Sequence, residues 1–450
     1  MSTDLETMLG EHKRAIRSLA LPLSISYLVL QVNLFVDIYW AAGLGVDPLS
    51  SIGTMSPVYY MLSAIGVGLG VGVSSRAAFY MGKTDKESAS KIITNTIVLA
   101  ILLSALISLA MFPLIDPLIS FMGADGIHDF CVAYCTPFFL MIVAITMNGV
   151  VAGMLRAEGA RGRSVIILIS TAVANVILDP ILIYVLDMGV AGAGWASSLS
   201  SLVSTILGLS WYAAGKTAIP LKLRRDYVNK QMMSEVFDIG GPRSFESLIT
   251  NASNILQRLI IIAVGGTTGV MLYSVPMRYP MLAEVPSDAI GAAAIPVCSA
   301  ALGQNDPEKM KRGMIYSAKL SMGVSLTLCA LILIFAEPMM SVLSYSPDVA
   351  EHFDELVWIL RVYALLIPLD GYRKLGSCLM QVLGRSGTST LLMMFWAFLK
   401  IALYYVAFLT GSFENLIIMV TIVYSLGGVI MMCATYHYVK KKYPRQIPTL

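Results

Sequence analysis

Two apolar stretches of the sequence each hold an asparagine followed four residues later by an aspartate. They read NLFVD, from Asn33 to Asp37, and NVILD, from Asn175 to Asp179. Residues four apart share one face of a helix, so each stretch presents an amide and a carboxylate side by side. An ionised carboxylate in hydrocarbon is costly and usually faces a polar cavity or a partner. The two stretches therefore predict a polar site inside an apolar helix bundle.

Pro180 follows the second aspartate and changes the backbone around it. Because proline has no N–H, the carbonyl of Val176 loses its helical donor and is free to bind a ligand. The segment AGAGWASS brings the Ser197 hydroxyl to a similar predicted depth. Such oxygen ligands suit a proton or a hard cation. We expect H⁺ or Na⁺ to be coupled at Asp37 and Asp179, which are also the candidate ligands if the ion is the metal Na⁺.

A simpler interpretation is that polar neighbours cap Asp37 and Asp179 and that both serve only helix packing. The matched depth and the repeated spacing favour an ion site instead. Two carboxylates in a low-dielectric pocket do not comfortably both ionise, so one of them should take up a proton. A group that gains and loses a cation in this way is typical of an ion-coupling site.

The composition places these residues in a polytopic membrane protein. Of 450 residues, 57% are hydrophobic and 13% are charged, whereas soluble domains carry about 25% charged residues. A spanning helix needs about 20 mostly apolar residues. Twelve runs meet this requirement, at 16–41, 50–79, 90–113, 129–154, 164–186, 190–214, 235–264, 268–300, 314–336, 356–383, 388–411 and 415–438. The bilayer is thus one expected partner.

Other classes of protein fit the sequence poorly. The twelve runs leave no stretch for a separate globular domain, and the metal and serine motifs HExxH and GxSxG are absent from the sequence. No basic run is interleaved with aromatic residues, as a nucleic-acid surface would require. We therefore expect no enzyme, no cofactor and no nucleic-acid partner.

Basic residues mark one side of the predicted membrane. The clusters lie before helix 1 and after the even-numbered helices, and the loops FPLIDPLISFMGADGIHD and AEPMMSVLSYSPDVAEHFDE contain no lysine or arginine. Loops rich in lysine and arginine stay in the cytoplasm. We expect a plasma-membrane protein with both termini in the cytoplasm.

The two halves of the chain look like copies of one unit. Pro22 corresponds to Pro242, GKTDKE to GQNDPE, and LRAEGARGRS to MQVLGRSGTS, in the same order. An even number of helices per copy gives a parallel repeat about an axis along the membrane normal. We predict an all-α fold of two six-helix bundles related by a parallel pseudo-twofold repeat. Its parts are an N-lobe at 1–214, a basic cytoplasmic linker at 215–234, and a C-lobe at 235–450 with a short basic tail.

The second half has membrane-embedded charges of its own. Glu246 and Asp370 are predicted near mid-membrane, where lining a cavity and structural pairing are both open interpretations. For Arg258, Arg278 and Lys400 we expect salt bridges, because several acids lie on neighbouring helices.

The chain resembles the multidrug and toxic compound extrusion (MATE) family from about Ile16 to Tyr438. The resemblance is carried by Pro22 followed by Asp37, and by MLRAEGARGRS, ANVILDPILIY, GVAGAGWASS and PLDGYRKLGSCLMQVLGRSG. It implies two six-helix lobes and alternating-access export of organic, often cationic and amphipathic, compounds in exchange for H⁺ or Na⁺. The substrate is then a small organic molecule, and we expect a monomer.

The resemblance also assigns residues to the site. Similarity to the DinF-like branch implies that Asp37, Asn175, Asp179 and Ser197 form the cation site. The residues proposed for the substrate or a second coupling site are Asn33, Tyr134, Asn148, Glu246 and Asp370. Of these, Tyr134 matches a helix-4 tyrosine, and Asn148 stands one turn before Ala152, where that branch often has asparagine. Glu246 and Asp370 match acidic positions of the NorM-like branch.

One alternative function remains within the same superfamily. A lipid-linked oligosaccharide flippase would keep the repeat but needs cationic residues in its cavity to hold a pyrophosphate. The candidates are Arg243, Arg278, Arg373 and Lys400.

Overall fold

The computed structural model describes residues 3–122, 124–343 and 350–442. These residues form helices and connecting turns, and no strand occurs among them, so the predicted all-α class is confirmed. The end of the predicted basic tail, at 443–450, lies outside the described residues. The helices are α1 Thr3–Leu9, α2 His12–Ala42, α3 Val46–Gly82, α4 Lys86–Met111, α5 Ile115–Phe121, α6 His128–Leu140, α7 Ile142–Ala157, α8 Arg161–Pro180, α9 Gly189–Ala213, α10 Lys230–Gly266, α11 Thr268–Gly303, α12 Pro307–Ile334, α13 Ala336–Leu343, α14 Phe353–Ala364, α15 Ile367–Val382, α16 Ser386–Thr410 and α17 Phe413–Lys442.

Several predicted spans are interrupted. Gly266 separates α10 from α11 with φ 59° and ψ −152°, a conformation that glycine adopts without a Cβ clash. The predicted fourth span bends by 54° between α6 and α7. The predicted tenth span is also two helices, α14 and α15. Among the described residues, ten helices are long and apolar enough to cross a membrane, or eleven if the bent pair counts as one span.

The chain forms two compact units. The first consists of Met1–Ser247 and Ser299–Asp306, and the second consists of Leu248–Cys298 and Pro307–Leu450. The first unit therefore includes the beginning of α10 and the end of α11. The lobe boundaries 1–214, 215–234 and 235–450 rest on the sequence repeat and stay a prediction.

Small residues set the packing of α3 against α7 in the first unit. A Cβ placed on Gly153 would lie 2.1 Å from the carbonyl oxygen of Gly70, and a Cβ on Gly66 would lie 2.5 Å from that of Thr146. Gly66 and Gly70 are four residues apart, as are Gly149 and Gly153, which is the small-residue spacing of close helix crossings in membranes. The backbones touch here because no side chain separates them.

Helix α2 packs along α8, and α8 packs along α9. This arrangement places both asparagine–aspartate stretches on neighbouring helices. Pro180 ends α8, and the chain then widens into one π-helical turn, Ile181–Val185, in which Leu186 N donates to Ile181 O at 2.8 Å. Proline cannot donate to the regular helical ladder, which accounts for the irregular turn at this point.

Candidate functional site

Four polar side chains of α2 and α8 form a continuous chain of hydrogen bonds. Asn33 Nδ2 donates to Asp37 Oδ1 at 3.1 Å and to Asn175 Oδ1 at 2.7 Å. Asn175 Nδ2 in turn donates to Asp179 Oδ1 at 3.4 Å. The structure thus brings together the two stretches that the sequence singled out. The residues that make contact between the two helices are the amides.

The two carboxyl groups are joined through the two amides, and they are close enough to repel each other when both are ionised. Asp179 is 2% exposed, and its Oδ2 has no hydrogen-bond partner among the described residues. Asn33 Oδ1 is likewise buried and unsatisfied there. Buried polar atoms without partners are unfavourable. A proton or a cation held between these oxygens would relieve that penalty.

Ser197 and Val176, the other two predicted ligands, are less directly connected to this chain of hydrogen bonds. The backbone carbonyl of Ser197, on α9, accepts hydrogen bonds from the Ser200 and Ser201 hydroxyls. No hydrogen bond joins the Ser197 hydroxyl to Asp37 or Asp179 in the part of the chain that the structure describes. Val176 lies on α8 one turn before the irregular backbone that follows Pro180. Their assignment as cation ligands stays a prediction.

Tyr134 lies in an aromatic cluster beside this region. Its ring is 4.9 Å from that of Phe138 in a T-shaped contact, and Phe138 is 5.2 Å from Tyr59. Tyr134 is buried, whereas Tyr59 is partly exposed. An aromatic wall of this kind suits apolar organic compounds. The position of Tyr134 is compatible with a role in substrate binding, which stays a prediction.

Asn148 belongs to a second chain of hydrogen bonds, which joins α7, α8 and α9. Its Nδ2 donates to Thr171 Oγ1 at 3.2 Å, and Thr171 Oγ1 donates to Ser204 Oγ at 2.9 Å. Thr171 lies one turn before Asn175 on α8. Our sequence reasoning missed Thr171 and Ser204. The signal was available, because Thr171 continues the i, i+4 row of Asn175 and Asp179.

Glu246 and Asp370 are both paired with arginines on their own helices. Arg243 Nη1 lies 2.7 Å from Glu246 Oε1. Arg373 holds Asp370 with two bonds, Nε to Oδ1 at 2.5 Å and Nη2 to Oδ2 at 3.2 Å. Bidentate pairing of this kind occupies both carboxylate oxygens. The contacts therefore show structural pairing, while a role in substrate binding or ion coupling stays a prediction.

The expectation of salt bridges is wrong for Arg258 and Lys400, because neither forms an ion pair with a described carboxylate. The physical reason is competition. Arg373 binds Asp370, while Lys374 binds Glu284 at 2.7 Å and Asp288 at 3.1 Å. Lys400 Nζ instead donates to Asn254 Oδ1 at 2.8 Å.

Comparison with known proteins gives relatives along most of the chain. The MatE family model matches residues 22–181 and 242–406. The multidrug export protein MepA of Staphylococcus aureus (strain MSSA476) is 22% identical over 382 residues, which cover 84% of this chain and 83% of MepA. An FAD transporter of Shewanella oneidensis is 24% identical over 366 residues, or 79% of this chain and 78% of that protein.

Solved structures resemble the whole fold. A crystal structure of MATE in complex with MaL6 and an outward-facing multidrug resistance MATE family transporter each have a TM-score of 0.92 and 26% identity, covering 98% of this chain and 99% of theirs. These matches confirm the predicted twelve-helix, two-bundle architecture. Because the family model matches well over half of the residues, in both halves of the sequence, the chain belongs to the MATE family of multidrug efflux transporters.

Proposed function

We propose that the chain is a secondary active antiporter that exports organic, often cationic and amphipathic, compounds in exchange for H⁺ or Na⁺. The observation that carries the proposal is the unsatisfied Oδ2 of Asp179 next to the carboxyl group of Asp37. The names of the relatives support transport of organic compounds, since one is a multidrug export protein and another an FAD transporter.

The two carboxyl groups act as an ion-operated switch. When both are ionised they repel each other, and a proton allows one to donate to the other. A sodium ion would be held by the same carboxylate oxygens and by the free Oδ1 of Asn33. Val176 and Ser197 are candidate further ligands. Arrival or loss of the ion therefore changes the energy of packing α2 against α8.

A small energy difference is enough for alternating access. Moving a two-state equilibrium from 1:99 to 99:1 takes about 5.5 kcal/mol, which is the scale on which buried carboxylates repel or bind. Pro22, inside α2, and Pro180, at the end of α8, are positions where these helices can bend. Ion entry from outside would favour the packing that expels the substrate, and release of the ion to the cytoplasm would restore the packing that binds it.

The remaining assignments follow from this scheme. Tyr134 and Asn148 line the substrate path near the switch, and Glu246 and Asp370 act on substrate or coupling in the second half of the chain. The protein works as a monomer in the plasma membrane with both termini in the cytoplasm, and it catalyses no chemical reaction.

The oligosaccharide flippase is not favoured as an alternative. Two of the four cationic residues that would hold a pyrophosphate, Arg243 and Arg373, are bonded to Glu246 and Asp370. The relatives named above are multidrug and FAD transporters. Arginines that already neutralise carboxylates offer little net positive charge to a phosphate.

Transport in proteoliposomes tests the proposal. Asp37→Asn and Asp179→Asn should each fold and insert into the membrane. The rate of efflux driven by an imposed pH or Na⁺ gradient should fall at least tenfold in both variants, because an amide exchanges no proton and binds Na⁺ weakly. Asp187→Asn is the matched control. Asp187 is exposed and has a φ of 52°, a conformation that asparagine tolerates. Gradient-driven efflux at the wild-type rate in either of the first two variants would show that the switch lies elsewhere.

A further inference from the structure

A buried lysine in the second compact unit lies among groups that can donate hydrogen bonds. Trp396, Lys400 and Tyr404 are spaced four residues apart on α16, so they share one helix face. All three are almost fully buried, and Lys400 is 0% exposed. With Asn254, Gln257 and Tyr424 they form what we call the Lys400 cluster.

The charge of Lys400 is only partly compensated. An ammonium group has three donors, and one of them bonds to Asn254 Oδ1 at 2.8 Å. No carboxylate of residues 3–122, 124–343 or 350–442 forms an ion pair with it. A buried charge in a membrane helix without a counter-charge is unfavourable and marks a functional position. An anion would supply the missing charge.

Aromatic rings form the walls around this ammonium group. Lys400 Nζ lies 5.1 Å from the Trp396 ring centroid and 5.8 Å from that of Tyr424. The Trp396 and Tyr424 rings are in T-shaped contact at 5.5 Å. Cation–π contact at these distances helps to hold the lysine in place. It leaves the remaining N–H donors of the lysine available to an acceptor.

Two buried tyrosine hydroxyls, that of Tyr404 in the cluster and that of Tyr363, also lack partners among the described residues. Tyr363 and Tyr404 are both 0% exposed, and neither hydroxyl has a hydrogen-bond partner among the described residues. The Tyr363 ring is in T-shaped contact with that of Tyr273, with the ring centroids 6.0 Å apart. An unsatisfied buried hydroxyl is unfavourable. Because a hydroxyl and an ammonium group can both donate, the ligand that satisfies them is an acceptor.

Some residues at the edge of the cluster are partly exposed. Asn254, Tyr273 and Tyr424 are partly exposed, whereas Lys400 and Tyr404 are buried. Gln257 links two of the partly exposed residues, since its Nε2 donates to the Tyr273 hydroxyl and its Oε1 accepts from Tyr424 Oη at 3.4 Å. A ligand at this edge would meet the partly exposed ring of Tyr424, and the ammonium group of Lys400 lies 5.8 Å from the centroid of that ring.

We propose that the Lys400 cluster binds the carboxylate of an aromatic organic anion, so that the second unit has a binding site for negatively charged or zwitterionic compounds. The nearby acid does not oppose this, because Asp370 is held by both bonds from Arg373. The inference rests on the proposed function, since it assumes that the chain handles organic compounds. Its ligand class differs from the cations expected from the family resemblance.

Two xanthene dyes of opposite charge test the proposal, anionic fluorescein and cationic rhodamine 6G. Binding to purified full-length protein is followed by fluorescence anisotropy without any ion gradient. Lys400→Met should weaken fluorescein binding at least tenfold and leave rhodamine 6G binding unchanged or tighter. Lys400→Arg, which keeps the charge, should weaken fluorescein binding less. Lys319→Met, at an exposed lysine of α12, is the control and should behave as wild type.

The proposal is wrong if wild type does not bind fluorescein or if Lys400→Met binds fluorescein with unchanged affinity. It is also wrong if Lys400→Met loses affinity for both dyes equally, which is the result expected if Lys400 serves only to stabilise the fold. Should Lys400→Met fail to fold, Tyr404→Phe gives a milder test, because it removes only one buried oxygen. It should weaken fluorescein binding and spare rhodamine 6G. Failure here is separable from failure of the antiport proposal, because Asp37→Asn and Asp179→Asn are assayed by gradient-driven efflux and these variants by equilibrium binding.

Discussion

Replacing Glu158 with glutamine should remove a loss of stability that wild type suffers as the pH rises from about 5 to 8. Glu158 follows α7, outside the spanning segments, and is 1% exposed. Its Oε2 accepts a hydrogen bond from Ala218 N at 2.9 Å, while Oε1 has no partner among the described residues. Burial raises the pKa of Glu158 from 4.5 to about 7, although the nearby Tyr212 hydroxyl and the backbone N–H groups of Ala218 and Ile219 act in the opposite direction.

The sign and size of the effect follow from this pKa. The folded protein holds the Glu158 proton more tightly than the unfolded chain does, so its contribution to stability is complete below pH 4.5 and is lost as the pH rises to about 7. At about 1.36 kcal/mol per pH unit, the difference between the two pKa values corresponds to about 3 kcal/mol. Glutamine stays neutral and has no such loss.

Thermal unfolding in detergent at several pH values between 5 and 8 measures this difference. The quantity to follow is the stability of Glu158→Gln relative to wild type, which should rise by up to about 3 kcal/mol across the range. Glu87→Gln removes an acid whose side chain is 65% exposed. The stability of this control variant should change with pH in parallel with that of wild type. A constant difference between Glu158→Gln and wild type would refute the argument that burial controls this carboxyl group.

Two further substitutions test packing and pairing. Gly153→Ala should destabilise the protein by about 1–3 kcal/mol in thermal unfolding, because its Cβ meets the carbonyl of Gly70, whereas Gly323→Ala, with open space around it, should not. Asp370→Asn should lower the free energy of unfolding by about 3–5 kcal/mol, because it leaves Arg373 buried without its partner. The same substitution should also reduce efflux. Normal efflux by folded Asp370→Asn would restrict this carboxylate to packing.

The contact between the two asparagine–aspartate stretches could be predicted because it depends on local geometry. A spacing of four fixes the helix face, and equal depth in two helices places the faces at one level. The partner of Lys400 could not be predicted in this way. Lys400, Arg373 and Lys374 compete for Asp370, Glu284 and Asp288, and the outcome depends on three-dimensional distances that a sequence pattern does not contain.

The helix breaks were partly visible in the sequence. Pro137 precedes the bend at Met141 by four residues, and Pro368 is the second residue of α15, just after the break that follows α14. Both prolines remove a helical donor, so they are signals that we did not use. The burial of Glu158 is different. It depends on the return of the backbone at Ala218, 60 positions later, which no local pattern specifies.

The central claim is that Asp179, together with Asp37, binds the ion that drives export. Release of this ion when substrate binds tests the claim most directly. Purified protein in weakly buffered detergent, with a pH indicator, reports H⁺, and a parallel sample loaded with radioactive Na⁺ reports Na⁺. Addition of rhodamine 6G should release one of these ions from wild type and from Asp187→Asn, but not from Asp179→Asn. Release of the same ion by Asp179→Asn to the same extent as wild type would contradict the assignment.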